Sequence, residues 1–280
     1  MTSRKVRLCM ALMLVVSMLL VGCVQPSDTT ADRKPGEPVR VSGSGTCLPL
    51  LRILTAEYPD TTSEFVYLPG LHSGGGIKGV ANGDLEIGAV SRELTAEEAK
   101  LGLRYTLLSR DGLVIATHPS VPLEGLTSQQ VRDIYRGKYA NWKELGGPDL
   151  PITILDRNED ESAKIILREY VLGKDLKITP KAVNLYYEPD MIEGLQSTVG
   201  AIGYFSLGYG LSQEVPVNML KLDGVAPSVA TIEDGTYKVI RPLGVVTAED
   251  AGEQIDAFLE WATSAKAVEL IKSKGFAPAK

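Results

Sequence analysis

From residue 38 onward, short runs of β-branched and apolar residues alternate with segments whose apolar residues recur at helical spacing. This alternation confines the chain to an α/β architecture. Val39–Ser42 reads as a short strand, Leu48–Tyr58 as a helix and Glu64–Leu68 as a strand. Gly76–Asn82 reads as a short helix, followed by Ile87–Val90 as a strand. Leu113–Thr117 has the composition of a buried strand; Thr127–Tyr135 reads as a helix that begins at a Thr. Ile152–Leu155 reads as a strand, and Glu161–Leu172 as a helix closed by Gly173. Ala201–Phe205 and Leu243–Val246 are further strands. Ala251–Gly275 is mostly helical, with Ile255, Phe258, Leu259, Ala262 and Val268 on its apolar face.

The 280 residues are 44% hydrophobic and 23% charged, enough apolar material for one large or two medium domains. Lys plus Arg number 29 against 35 Asp plus Glu, a net charge of −6. An acidic chain without basic runs is not a nucleic-acid binder, because phosphate-backbone affinity needs clustered cations. A small anion is not excluded, because local backbone dipoles can hold one in an acidic protein.

The N-terminus has its own pattern. Arg4, Lys5 and Arg7 precede an apolar stretch, Leu8 to Gly22, that is short for a membrane span. It ends Leu20-Val21-Gly22-Cys23, which resembles the lipobox of bacterial lipoproteins, where cleavage precedes a lipidated Cys. Residues 1–22 are therefore read as a signal peptide and Cys23 as a lipidation site. Residues 23–37 are polar and contain proline, and they read as a flexible tether. With Cys9 in the signal and Cys23 lipidated, Cys47 has no disulfide partner; in its apolar stretch it reads as a small buried hydrophobe.

Three segments place a Gly, Ser or Thr turn between a strand and a helix: Ser42-Gly43-Ser44-Gly45-Thr46, His72-Ser73-Gly74-Gly75-Gly76-Ile77-Lys78, and Val90-Ser91-Arg92 before a helix at Thr95–Lys100. Free N–H groups at a helix start converge on one spot, and Ser or Thr hydroxyls add neutral donors. Gly-Ser turns also start helices for capping reasons alone. None of the three is a P-loop or a dinucleotide fingerprint.

Other chemistry is sparse. The two histidines, His72 and His118, form no zinc-spaced cluster, so no metal site and no cofactor are expected. His72 reads as a solvated loop residue, with cleft lining as the alternative, and His118 as structural. Trp142 and Trp261 read as packing residues, and Tyr186-Tyr187 ahead of Glu188-Pro189 as a possible cleft mouth. No catalytic carboxylate pair or Gly-x-Ser-x-Gly elbow is recognisable.

In sequence order, Gly43-Ser44-Gly45-Thr46-Cys47-Leu48-Pro49-Leu50, Ser73-Gly74-Gly75-Gly76-Ile77-Lys78 and Ile87-Gly88-Ala89-Val90-Ser91-Arg92-Glu93-Leu94 carry a family likeness. So do Asp111-Gly112-Leu113-Val114, Leu126-Thr127, Ile134-Tyr135-Arg136-Gly137, Asn141-Trp142-Lys143-Glu144, Val199-Gly200-Ala201-Ile202-Gly203-Tyr204 and Arg241-Pro242-Leu243. The chain resembles the phosphate-binding type of periplasmic substrate-binding protein that serves bacterial ABC importers. The resemblance implies a two-lobed type II periplasmic binding protein fold, with mixed sheets flanked by helices and the ligand cleft between the lobes. Lobe one would take residues 38–118 and 239–280, and lobe two residues 119–238. It implies Thr46, Ser73 and Ser91 as anion contacts from lobe one and Arg157 as the counter-charge from lobe two. It further implies phosphate or a related oxyanion as ligand, ABC permease subunits as partners, a monomer, and a protein that is not an enzyme. Its place would be extracytoplasmic, on a membrane through lipidated Cys23.

The sequence departs from the family at the fourth ligand segment, where Arg, three residues and Ser-Gly-Thr are usual. Here Arg157 is followed at those positions by Glu161, Ser162 and Ala163, so two hydroxyls are missing and a carboxylate is added. A carboxylate about 4 Å from a monoanion costs roughly 4 kcal/mol at an effective dielectric of about 20. Glu161 has three readings. It caps the helix in a capping box with Asn158, or it accepts a proton from a protonated oxyanion, or it marks a different solute. Glu161 is accordingly taken as the selectivity element. The alternatives are the same fold binding another small solute, a non-transport sensor, and an enzyme acting on phosphate esters.

Overall fold

The computed structural model describes residues 37–279. The signal peptide, Cys23 and nearly all of the tether lie outside the described residues. No helix among the described residues is long and apolar enough to cross a membrane.

The chain runs β1 (Val39–Gly43), α1 (Leu48–Ala56), β2 (Phe65–Tyr67), α2 (His72–Ala81), β3 (Ile87–Val90) and β4 (Leu103–Thr117). It continues with α3 (Ser128–Tyr135), β5 (Thr153–Arg157), α4 (Ser162–Leu167), β6 (Val183–Leu185), α5 (Glu188–Ser197) and β7 (Ala201–Ser206). It closes with α6 (Leu207–Ser212), α7 (Val229–Glu233), β8 (Ile240–Ala248), α8 (Glu253–Ala262) and α9 (Ala265–Ser273). The strands form one curled mixed sheet in the order β2-β1-β3-β8-β4-β7-β5-β6. The pairs β2–β1, β1–β3, β7–β5 and β5–β6 are parallel, whereas β8 and β4 are antiparallel to their neighbours.

Strand β4 changes partner along its length. Leu103–Gly112 pairs with β8, and Leu113–Thr117 pairs with β7. The core changes with it. Leu108 packs in a cluster with Val39, Leu50, Ile87, Leu243 and Phe258. Leu113–Ala116 pack in a second cluster with Ile134, Trp142, Ile154, Met191 and Phe205. Two large hydrophobic cores, with a smaller cluster of Ile77, Val80, Leu85, Val90 and Val246 under α2, and two strands crossing between the large ones give the two-lobed form that the sequence motifs imply. At the crossing, Asp111 and Arg241 are buried together 3.1 Å apart, an ion pair whose mutual attraction offsets part of the cost of holding both charges away from water. Burial pushes the Asp111 carboxyl up against the pull of Arg241.

Several elements differ from the sequence reading in instructive ways. The strand at residue 113 begins ten residues earlier, because Arg104, Arg110 and Asp111 pair across to β8 rather than marking a loop. The long C-terminal helix is two helices, with Ser264 capping α9 through the Ala267 N–H. The expected helix at Thr95–Lys100 is one 3-10 turn, Glu98–Leu101. The Gly-rich turn at residue 73 is the opening of α2, which starts at His72. Its glycines allow close approach. A Cβ on Gly76 would lie 3.0 Å from the Gly43 Cα and 3.1 Å from the Ala89 carbonyl oxygen. Cys47 is wholly buried against the Gly244 carbonyl, and burial pushes its thiol up to about 12.

Candidate binding site

Strands β1, β3 and β5 end on the same cleft, and each hands the chain to a turn that presents side chains there. In open parallel sheets, ligands bind at this carboxyl edge. The cleft encloses about 540 Å³, lined from the first core's side by residues such as Ser44, Thr46, His72 and Ser73, and from the second's by Arg157, Glu161, Ser162 and Glu188.

Ser91, directly after β3, is the centre of a hydroxyl cluster. Its Oγ lies 2.7 Å from Ser44 Oγ, 2.7 Å from Ser162 Oγ and 3.4 Å from Ser73 Oγ, and its N–H donates to Ser73 Oγ at 3.1 Å. Ser73 and Ser91 thus meet beside the cleft, and Ser44 of the first turn and Ser162 of the fourth segment join them. Ser162 returns one hydroxyl to a segment that reads as having lost two. Its contact with Ser91 also spans the cleft.

Arg157 sits at the end of β5 with its side chain only 4% exposed. Its N–H donates to the Tyr204 hydroxyl, which in turn donates to Asp156, and Asp156 holds the buried Lys164 Nζ at 2.6 Å. This network fixes the backbone that aims the guanidinium. Arg157 Nη2 donates to the Tyr186 carbonyl at 3.0 Å and lies 2.9 Å from Glu161 Oε2 in an ion pair. Its Nε and Nη1 are buried and have no protein partner. An unpaired buried N–H is unfavourable by about 1–3 kcal/mol, more on a charged group, so this arrangement is poised for an acceptor.

Glu161 does not form the capping box. It is itself the N-cap residue of α4 and makes no side-chain cap bond, and Asn158 turns instead to the Asn184 amide. Its carboxylate bridges Arg157 and His72, with Oε1 at 2.8 Å from His72 Nδ1. Two positively charged or chargeable partners outcompete a backbone N–H for an acid. Burial raises the Glu161 carboxyl, opposed by Arg157 and then His72. His72 therefore lines the cleft at the start of α2, with its side chain still 53% exposed. Its ring lies parallel to Tyr187, centroids 6.4 Å apart.

Thr46 faces the cleft, but its hydroxyl is engaged, donating to Glu188 Oε2 at 2.8 Å. Glu188 Oε1 accepts from the Ser206 N–H, and Oε2 lies 3.5 Å from Arg241 Nη2. A polar chain therefore runs from the first turn to the strand crossing. In the sequence Glu188 stands only as the residue after Tyr186-Tyr187 at a cleft mouth, because its partners Thr46, Ser206 and Arg241 are distant along the chain. Arg92 also lines the cavity, but Glu98 holds its guanidinium with two 2.7 Å bonds. His118 bonds to Ser120, Trp142 donates to the Gly200 carbonyl, and Trp261 packs with Tyr58 and Phe258, all away from the cleft.

Comparison with known proteins points the same way. A family model described as a PBP superfamily domain matches residues 24–266. A phosphate-binding protein PstS of Borreliella burgdorferi is 27% identical over 247 residues, covering 85% of this chain and 88% of that protein. A phosphate-binding protein PstS of Bacillus subtilis is 23% identical over 283 residues, covering 96% and 92%. Among solved structures, a Clostridium perfringens chain assigned as a phosphate ABC transporter substrate-binding protein, with bound phosphate, superposes with a TM-score of 0.77. It is 30% identical, covering 87% of this chain and 100% of that one. An ABC-type phosphate transport receptor from Vibrio cholerae gives a TM-score of 0.66 at 26% identity, covering 85% and 99%.

Proposed function

The chain belongs to the PBP superfamily, and we propose that it is the extracytoplasmic solute-binding protein of an ABC importer, closing its two lobes on phosphate or a related oxyanion. One observation carries this reading: the buried Arg157 guanidinium on the cleft wall keeps Nε and Nη1 without a partner. Around it stand hydroxyls, which bind an anion without adding fixed charge. The names of the relatives support the same ligand class.

In this reading Arg157 is the counter-charge, and Ser73 and Ser91 are donors. Thr46 joins them when the anion draws its hydroxyl from Glu188. Glu161 is the selectivity element. Lobe one takes residues 38–118 and 239–280, lobe two residues 119–238, and β4 and β8 serve as the hinge. The closed protein presents the anion to permease subunits. It is a binding protein, not an enzyme. A lipid on Cys23 would tether it, as a monomer, to the membrane.

The test is calorimetric titration of protein freed of bound ligand, with phosphate and with sulfate as control. Saturable phosphate binding that is lost in Arg157→Met is the expected result. A folded protein that gives no heat with phosphate overturns the ligand assignment. Glu161 and Ala163 then favour a second reading, the same cleft holding a different solute.

A further inference from the structure

We infer that His72 is a positioning residue for the cleft: its imidazole holds the Glu161 carboxylate, so that affinity for an anion rises as His72 takes up a proton. The inference rests on the oxyanion reading of the cleft.

The geometry is specific. His72 opens α2 at φ 56°, a conformation that side-chain-bearing residues seldom adopt. From there its Nδ1 lies 2.8 Å from Glu161 Oε1, while the other oxygen of the same carboxylate lies 2.9 Å from Arg157 Nη2. Helix α2 packs on β1 and β3, whereas Arg157 and Glu161 stand at the end of β5, so the contact crosses the cleft. The charged groups that act on Glu161 come from four places: Arg157 on β5, His72 on α2, Asp160 in the adjoining turn and Glu188 at the start of α5. Lys78 and Arg92 line the same cavity, Arg92 being tied to Glu98.

Asp160 and Glu188 add to the negative field at Glu161, and Arg157 alone would have to balance it. That is the guanidinium an incoming anion needs. Histidine is the residue type that ordinarily changes charge between pH 5 and 8. A protonated His72 shares the carboxylate, offsets its charge and leaves Arg157 Nε and Nη1 to the ligand. A neutral His72 does not. Because the pair spans the cleft, it also favours the closed form.

The experiment compares phosphate binding by wild type, His72→Asn, His72→Lys, Glu161→Gln and the His72→Asn/Glu161→Gln double variant, at about pH 6 and about pH 8.5, either side of the ordinary histidine range. Asparagine tolerates the positive φ. The ionisation of phosphate itself is common to all variants and cancels in the ratios. His72→Asn should bind about fivefold more weakly than wild type at the lower pH, the scale of a partly exposed ion pair, and equally at the higher. His72→Lys should retain the affinity at both. In the Glu161→Gln background, His72→Asn should change nothing. A loss in His72→Asn that is the same at both pH values, or that persists in the double variant, overturns the inference.

Wild type that binds no phosphate at either pH overturns the oxyanion reading instead. Small-angle scattering without ligand then decides on His72. Wild type more compact at the lower pH, with His72→Asn unchanged, supports the contact, and identical profiles for the two proteins at both pH values reject it.

Discussion

Replacing Glu161 by Gln should strengthen anion binding, and the structure sets the size of the gain. Glu161 Oε2 stands against Nη2 of the Arg157 guanidinium, and an anion docked on Nε or on Nη1, which point to opposite sides of the group, stands on a neighbouring nitrogen. Two ligands on neighbouring nitrogens of one guanidinium lie about 5 Å apart. At an effective dielectric of about 20 a carboxylate and a monoanion at that distance repel by about 3 kcal/mol. A protonated His72 offsets part of this, so the net gain is about 1–3 kcal/mol, or roughly ten- to hundredfold in Kd. Gln is nearly isosteric and can still accept from Arg157, so the fold is kept. Burial raises the Glu161 carboxyl, which makes its ionised form more prevalent as pH increases, so the gain should grow with pH. Calorimetric titration with phosphate and sulfate at two pH values reads this directly. Weaker phosphate binding in Glu161→Gln would refute the repulsion argument. It would show that the carboxylate accepts a proton from the ligand, and sulfate, without that proton, should then be unaffected by the substitution.

Other outcomes follow from the same contacts. Arg157→Met removes the two unpaired donors, each worth about 1.5–3 kcal/mol to a charged acceptor, so phosphate affinity should fall by at least about a hundredfold while circular dichroism stays unchanged. Gly43→Ala should destabilise the protein by several kcal/mol, of order ~3 or more, because φ is +130° there and a Cβ would lie 2.3 Å from the Ala89 carbonyl oxygen; urea unfolding measures it. Arg92 lowers the Glu98 carboxyl to about 2. With the folded value depressed, the pair contributes stability above the ordinary carboxylate range and loses it as pH falls toward about 2. The stability difference between wild type and Glu98→Gln should therefore shrink to nothing across that window.

How far the sequence discloses this molecule depends on where each signal resides. Ile87–Val90 and Leu113–Thr117 are legible because strands buried on both faces are continuous apolar runs. The first half of β4 is not, because Arg104 and Asp111 are polar for partners far along the chain, Asp256 on α8 and Arg241 on β8. Helix α6 carries Gly208 and Gly210, residues that argue locally against a helix. Both are needed there because a Cβ on Gly208 would strike Phe276 and one on Gly210 would strike Phe205. Ser264 caps α9 without disturbing the apolar period, so the break between α8 and α9 cannot be seen in the pattern.

The candidate site divides along the same line. Ser73 and Ser91 stand in Gly- and Ser-containing segments that local composition marks out, whereas Arg157, the last residue of β5, is marked only by the family resemblance. Thr46 and Glu188 are 142 residues apart, and nothing near either foretells the bond. Glu161 is the sharpest case. Three residues after Asn158, it fits the local rule for a capping box, and in an isolated helix that bond is worth about 1 kcal/mol. In the folded chain Arg157 and His72 stand within ion-pair distance of the same carboxylate, and the attraction of a positive charge at that range, roughly 4 kcal/mol at an effective dielectric of about 20 before desolvation, exceeds the worth of the cap. The local preference is outbid once the cleft assembles, and this changes what the residue is for. As a cap, Glu161 would secure a helix end and leave the ligand alone. As a bridge between a guanidinium and an imidazole on opposite walls, it links closure, the charge available to the ligand and the protonation of His72 in a single contact.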